Sequence, residues 1–149
     1  MCLIVDSSKE FEVAKNDIVC YKVLYDHENG FYTTPYQQMR VEIGKQYKNR
    51  EKVQFQYHFL DLTLNIWPKI LTGGAYHSFV ELDDAKDEIN KIRQQIGGWY
   101  DMVVVKCIIP KGSKYMEGIY RDANSCDIAS YASDNIIYKE IVFNEFSEQ

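Results

Sequence analysis

Apolar and polar residues alternate with a period of two along most of this chain and change to the helical period in one stretch. Asp17–Tyr25 (DIVCYKVLY) sets Ile18, Cys20, Lys22 and Leu24 against Val19, Tyr21, Val23 and Tyr25. Both sets are mostly apolar, which predicts a central strand covered on two faces rather than an edge. Asp26-His27-Glu28-Asn29-Gly30 supplies turn residues, and Phe31–Thr34 resumes strand chemistry before Pro35, so a hairpin or short loop is expected there. Val41–Lys45 and Val53–Tyr57 alternate on either side of a polar turn centred on Lys48-Asn49-Arg50, the pattern of two half-buried strands. Between Leu60 and Leu71 the alternation meets Pro68, which a sheet tolerates only at an edge, a bulge or a loop, and an irregular segment is predicted.

The helical period appears at Leu82, Ala85, Ile89, Ile92 and Ile96, spaced three and four apart on one face. Asp83 and Asp84 stand where a helix start is capped and its dipole complemented, and Gly97-Gly98 offers the left-handed backbone that ends one. Lys86, Asp87, Asn90, Lys91, Arg93 and Gln94 fill the other face, as solvent requires. A helix over 82–96 follows. Beyond it, Met102–Ile109 (MVVVKCII) predicts a buried strand ending at Pro110, Lys114–Tyr120 another strand, Arg121–Ser130 a polar loop, and Ile136–Phe143 the last strand. The fold class read from this pattern is α+β: a strand-rich single domain over 1–149, with a mostly antiparallel sheet and one amphipathic helix.

Composition narrows the class. In 149 residues, 46% are apolar and 26% charged, close to globular averages, which excludes disordered, collagen-like and coiled-coil chains. With no repeat or Pro/Gly-rich linker, one core is expected. The net charge of −5 and the scattered placing of Lys45, Lys48, Arg50 and Lys52 argue against nucleic acid as a partner, since phosphate neutralisation needs a concentrated basic face. MCLIV has no basic flank before it and reaches Asp6 at once, unlike a signal peptide or a membrane span, so a cytoplasmic protein with no membrane partner is expected. Cys2, Cys20, Cys107 and Cys126 form no CxxC pair, and Cys20 and Cys107 lie in apolar runs. Reduced core thiols are the expectation. Twelve Tyr and seven Phe suit the faces of a sheet, with an aromatic-lined pocket as the sharper alternative and an aromatic surface that packs into a homo-oligomer as another.

Candidate chemistry is sparse. His27, His58 and His77 lie in three separate segments with no HxH, HExxH or Cys/His cluster, so no metal is expected. No GxSxG, GxxxxGK[ST] or GxGxxG is present, which removes the usual signatures of hydrolase, phosphate-loop and dinucleotide chemistry, and no cofactor is expected. The most unusual stretch is Thr72–Phe79 (TGGAYHSF). Two glycines that permit close backbone approach precede Tyr, His and Ser, which nominates Gly73, Gly74, Tyr76, His77 and Ser78 as a ligand-binding loop; the plain alternative is a turn feeding a short strand ahead of the helix. A second candidate is Ile109–Tyr115 with Tyr131-Ala132-Ser133, where Pro110-Lys111-Gly112-Ser113 also reads as an ordinary turn.

Three blocks carry a resemblance: Gly74–Phe79 with Ala85, Ile109–Gly118, and Tyr131–Ile136. In their layout, residues 73–143 resemble small uncharacterised proteins of gut bacteria and their phages, which implies no particular activity. The same order of strands also resembles the ADP-ribosyltransferase arrangement. That resemblance implies Ser78 as the pocket-side Ser and Glu140 as the catalytic Glu, while the first strand offers Tyr21 and Lys22 in place of the family's Arg or His. The reading that results is a small non-catalytic accessory domain, of phage type, binding a small molecule or a protein through Gly73–Ser78. Two alternatives stand beside it: an ADP-ribosyl- or glycosyl-transfer enzyme using Glu140, and an oligomeric structural protein.

Overall fold

The computed structural model describes residues 3–28, 30–62, 64, 66–96, 101–122 and 124–145. Its elements in chain order are β1 (Leu3–Asp6), β2 (Glu12–Val13), β3 (Ile18–Asp26), β4 (Tyr32–Thr33), β5 (Arg40–Val41), β6 (Gln46–Lys48), β7 (Gln54–Tyr57), β8 (Pro68–Gly73), β9 (Tyr76–Phe79), α1 (Leu82–Ile96), β10 (Asp101–Ile109), β11 (Lys114–Arg121), β12 (Asp127–Ser133) and β13 (Asn135–Asn144). These strands join one curled antiparallel sheet, whose main path runs β6-β13-β10-β3-β9-β12-β11-β1-β8-β7. The strand-rich antiparallel sheet and the helix over 82–96 are as the pattern predicts. The balance is further toward β than an α+β reading implies, because the end of the segment read as irregular, from Pro68, and the end of the stretch read as a polar loop, from Asp127, belong to strands β8 and β12.

Physical reasons for those departures are local. Pro68 occupies the first position of β8, where a missing N–H is tolerated, and the ladder with β1 runs from there, Asp6 to Pro68 through Leu3 to Leu71. Small and polar residues in β12 (DIASYAS) hid a strand that alternates closely, exposed at Asp127 and Ala129 and buried at Ile128, Ser130 and Ala132. Val41–Lys45 is interrupted at Gly44, whose φ of +90° turns the chain, leaving only the short β5 and β6. The polar turn at 48–50 does not close a hairpin: β6 and β7 lie at opposite ends of the sheet path.

The strand DIVCYKVLY is central, as its two apolar sets require. Cys20 and Leu24 enter a cluster with Val41, Val103, Val105, Cys107, Ile109, Ile136 and Tyr138 on one face. Val23 and Tyr25 join Phe79, Ala85, Ile89, Ile92, Met102 and Val104 under α1 on the other. Ala85, Ile89 and Ile92 are buried and Leu82 is half-buried, so the apolar stripe faces the sheet. Asp83 and Asp84 fall within the first turn of α1 rather than ahead of it, where they complement its dipole; the glycine pair after it lies outside the described residues. Cys20, Cys107 and Cys126 are free thiols, the first two buried, and Cys2 lies outside the described residues. No helix among the described residues is long and apolar enough to cross a membrane. Tyrosines serve the core more than the surface: Tyr32, Tyr47, Tyr76, Tyr115 and Tyr131 pack around the Cys20 cluster.

Candidate functional site

The site arises from an interruption beside β3. On one edge β3 pairs with β10 continuously, from Ile18 opposite Ile109 to Asp26 opposite Asp101. On its other edge β9 meets it only at Tyr21, through Phe79, and β4 only at Tyr25 and Asp26. Residues 22–24 therefore face no strand on that edge among the described residues. β9 diverges because it is held on its far side by β12, from Phe79 opposite Ser130 to Tyr76 opposite Ser133. The segment after β4 arches over the opening, closed on itself by Thr34 N–H donating to Met39 C=O and Gln38 N–H to Thr34 C=O, each at 3.0 Å.

A cavity of about 80 Å³, open to solvent, fills this seam, and residues of both sheet faces reach it. A single water needs roughly 10–15 Å³ by the same measure, so several waters or a small molecule fit. Apolar walls come from Val23, Met39, Phe79 and Ile92, and polar groups from Lys22, Tyr36, His77 and Glu88.

The polar groups are held inside at a cost. Lys22 Nζ donates to the His77 carbonyl oxygen at 2.5 Å, and none of the ion pairs among the described residues includes it. Burial lowers its pKa. His77 is partly buried, its Nδ1 fully so and without a hydrogen-bond partner. Burial first, and the Lys22 charge second, push its pKa down to about 3, so the ring is neutral at pH 7. Glu88, only 2% exposed, accepts a hydrogen bond on Oε1 from the Tyr36 hydroxyl at 2.8 Å, while Oε2 is buried without a partner. Burial raises the Glu88 pKa against the opposing pull of Tyr36 and Lys91. Lys91 itself is paired with Asp122 at 2.5 Å.

Of the residues nominated by sequence, Tyr76 and His77 line the cavity and Gly73, Gly74 and Ser78 do not. Gly74 serves the backbone instead. Its φ is +86°, and a Cβ there would come within 2.6 Å of Lys52 O and Val53 Cα. Ser78 alternates to the face opposite His77, where it is fully buried beside the Cys20 thiol. Glu140 is exposed on β13, opposite Lys106. Two strands, β10 and β3, separate β13 from β9, so about 14 Å of sheet lies between the Ser78 and Glu140 strands at a spacing of about 4.8 Å. The two positions on which the transferase layout rests do not share a site. The Pro110–Ser113 turn is occupied by backbone bonds, Ser113 N–H to Pro110 C=O and Gly112 N–H to Ala14 C=O.

Lys22 and Glu88, which the sequence reading did not select, each carried a signal. Lys22 is the one charge between Ile18 and Tyr25, a run apolar on both faces. Glu88 lies three residues after Ala85 and four before Ile92, so it interrupts the apolar stripe of the helix. Comparison of the chain with protein-family models, with curated proteins and with solved structures finds no match.

Proposed function

We propose that this protein is a small-ligand-binding module whose site is the cavity beside residues 22–24, and that it works by recognition rather than bond-making. The observation that carries the reading is Glu88, a residue of the cavity wall whose carboxylate oxygen Oε2 is buried and without a partner. Leaving such an atom unpaired costs about 1–3 kcal/mol or more for a charged group, which a ligand N–H or O–H would recover. His77, which lines the same cavity and whose buried Nδ1 is unpartnered, supports the same reading, and the apolar walls provide the burial that small-molecule sites use.

The test is a thermal-shift screen of metabolites against the parent protein and His77→Ala. A ligand specific to the native state stabilises it by about 2.7 kcal/mol at a hundred times its Kd. His77→Ala should lose that response while its own melting temperature changes little. If it melts earlier yet keeps every response of the parent, His77 is structural and the cavity is not the site.

A second reading, self-association, rests on the segment between β7 and β8. Phe59 is 91% and Leu62 85% exposed there, with Tyr57 and Trp67 also exposed, at a strand that ends the sheet path. Exposed apolar clusters beside a free edge favour contact with another chain. Light scattering of the parent and of Phe59→Ser/Leu62→Ser decides it: a monomer in both would remove the reading.

A further inference from the structure

The ligand class follows from the charges that the cavity holds apart, and this inference rests on the cavity being the binding site. Lys22 and Glu88 both line it, yet they form no ion pair with each other. The Lys22 ammonium has three N–H donors and uses one, on the His77 carbonyl. The Glu88 carboxylate uses Oε1 for Tyr36 and leaves Oε2 free. The same cavity is lined by Val23, Phe79 and Ile92, which offer nothing to hydrogen-bond with their side chains.

A half-buried cation and a buried anion that share a largely apolar cavity without pairing are each costly alone. A ligand with only a carboxylate would satisfy Lys22 and His77 and leave Glu88 unpaired, and one with only an amine would do the reverse. We infer that the cavity takes a small zwitterion of the amino-acid type, its carboxylate on Lys22 Nζ with His77 Nδ1–H beside it, its ammonium on Glu88 Oε2, and a short apolar body against Val23, Phe79 and Ile92. Neutral His77 can carry its proton on Nδ1 and donate, consistent with the burial that keeps the ring uncharged. The electrical balance is then complete, since the ligand adds one charge of each sign beside its opposite. Charge-assisted bonds of this kind are about twice as strong as neutral ones.

The test is calorimetric titration of the parent protein with glycine, 3-aminopropanoate, 4-aminobutanoate, alanine and leucine. Each is matched with its one-ended isosteres, the amine lacking the carboxylate and the acid lacking the ammonium. At least one zwitterion should bind at least about tenfold tighter than both of its isosteres, and Lys22→Met and Glu88→Gln should each weaken it by about the same factor. The isostere comparison needs no variant, so a variant that fails to fold does not decide the matter. Equal affinity for a zwitterion and either isostere overturns the inference, as does binding that survives both substitutions. If no zwitterion binds but another compound does, and His77→Ala abolishes that binding, the zwitterion inference fails while the cavity stands. If nothing binds, both fall.

Discussion

The two edges of β3 are built from one strand and behave as opposites. Toward β10 the ladder is unbroken over nine residue pairs, and Val103, Val104, Val105 and Cys107 behind it are fully buried. Toward β9 the ladder makes one pair and stops. At that point the same strand carries a lysine that shares a cavity with a histidine and a glutamate, each of which has one buried polar atom, Nδ1 and Oε2, without a partner. Continuous pairing leaves no room and asks only for apolar side chains that pack; an interruption leaves a cavity and exposes polar groups to it. The contrast teaches where to look for function in a sheet with no diagnostic motif: beside the strand whose partner departs.

The paired side should give the largest effects when cut. Ile89, which packs from α1 onto Val23, Met102 and Val104 and is 2% exposed, should lose about 2–5 kcal/mol on truncation to alanine. Urea denaturation at matched m-value measures it. A loss below about 0.5 kcal/mol, the range of ordinary surface substitutions, would mean that α1 does not clamp the ladder.

Gly74→Ala comes next and tests whether the glycine pair belongs to the ligand or to the fold. A Cβ would strain a φ of +86° and meet the backbone of Lys52 and Val53 at 2.6 Å, so a cost of about 2–3 kcal/mol is expected. Gly73 has no such constraint, its nearest contact being Gln54 Oε1 at 3.8 Å, and Gly73→Ala should cost about 1 kcal/mol or less by the ordinary scale of strand substitutions. Equal losses at the two positions would show that the backbone approach at Gly74 is not what the first substitution breaks.

These residues also mark how much the sequence could say. Strand β3, helix α1 and strand β10 were legible because apolar spacing there is long and regular, and tertiary packing agrees with it. β12 was not, since Ser130 and Ser133 are as fully buried as Ile136 although their side chains are polar. Of the site, Tyr76 and His77 were legible through the glycines before them. The cavity was not, because it depends on β9 leaving β3 after a single pair, a consequence of what β9 pairs with on its other side. No local pattern records that. Glu140 was eligible by sequence because a late strand carries it; strand order places it on the wrong side of β10.

On the seam, pH offers a smaller handle. His77 has its pKa lowered to about 3 from 6.5, so the unfolded chain takes up a proton that the folded one refuses. Stability is unaffected by this group above pH 6.5 and falls as pH drops below it, by at most about 1.4 kcal/mol per unit. Glu88, with its pKa raised, acts in the opposite sense, since its contribution is present at low pH and fades as pH rises above 4.5. The two oppose each other between them, so the informative quantity is a difference: between pH 7 and 5, the parent should lose more stability than His77→Gln does. A difference of zero would show that the ring titrates normally and is open to water.

The smallest expected effect falls on the seam's own charge and closes the contrast with the ladder. Lys22 and Leu24 are two residues apart on one strand and point to the same face. Leu24→Ala, at a fully buried position, should cost about 2–5 kcal/mol. Lys22→Met keeps the aliphatic stem, removes an ammonium whose burial already depresses its pKa, and leaves the His77 carbonyl without its donor. The relief of desolvation and the lost charge-assisted hydrogen bond are each on the order of a few kcal/mol and opposite in sign, so they largely cancel and the net change should lie within about 1 kcal/mol of zero. A lysine that contributes so little to folding has its ammonium available for a ligand at this end of the cavity. If Lys22→Met instead destabilises as much as Leu24→Ala, the ammonium is a strut across the seam between β3 and β9, and the charge that the zwitterion was to meet is already in use.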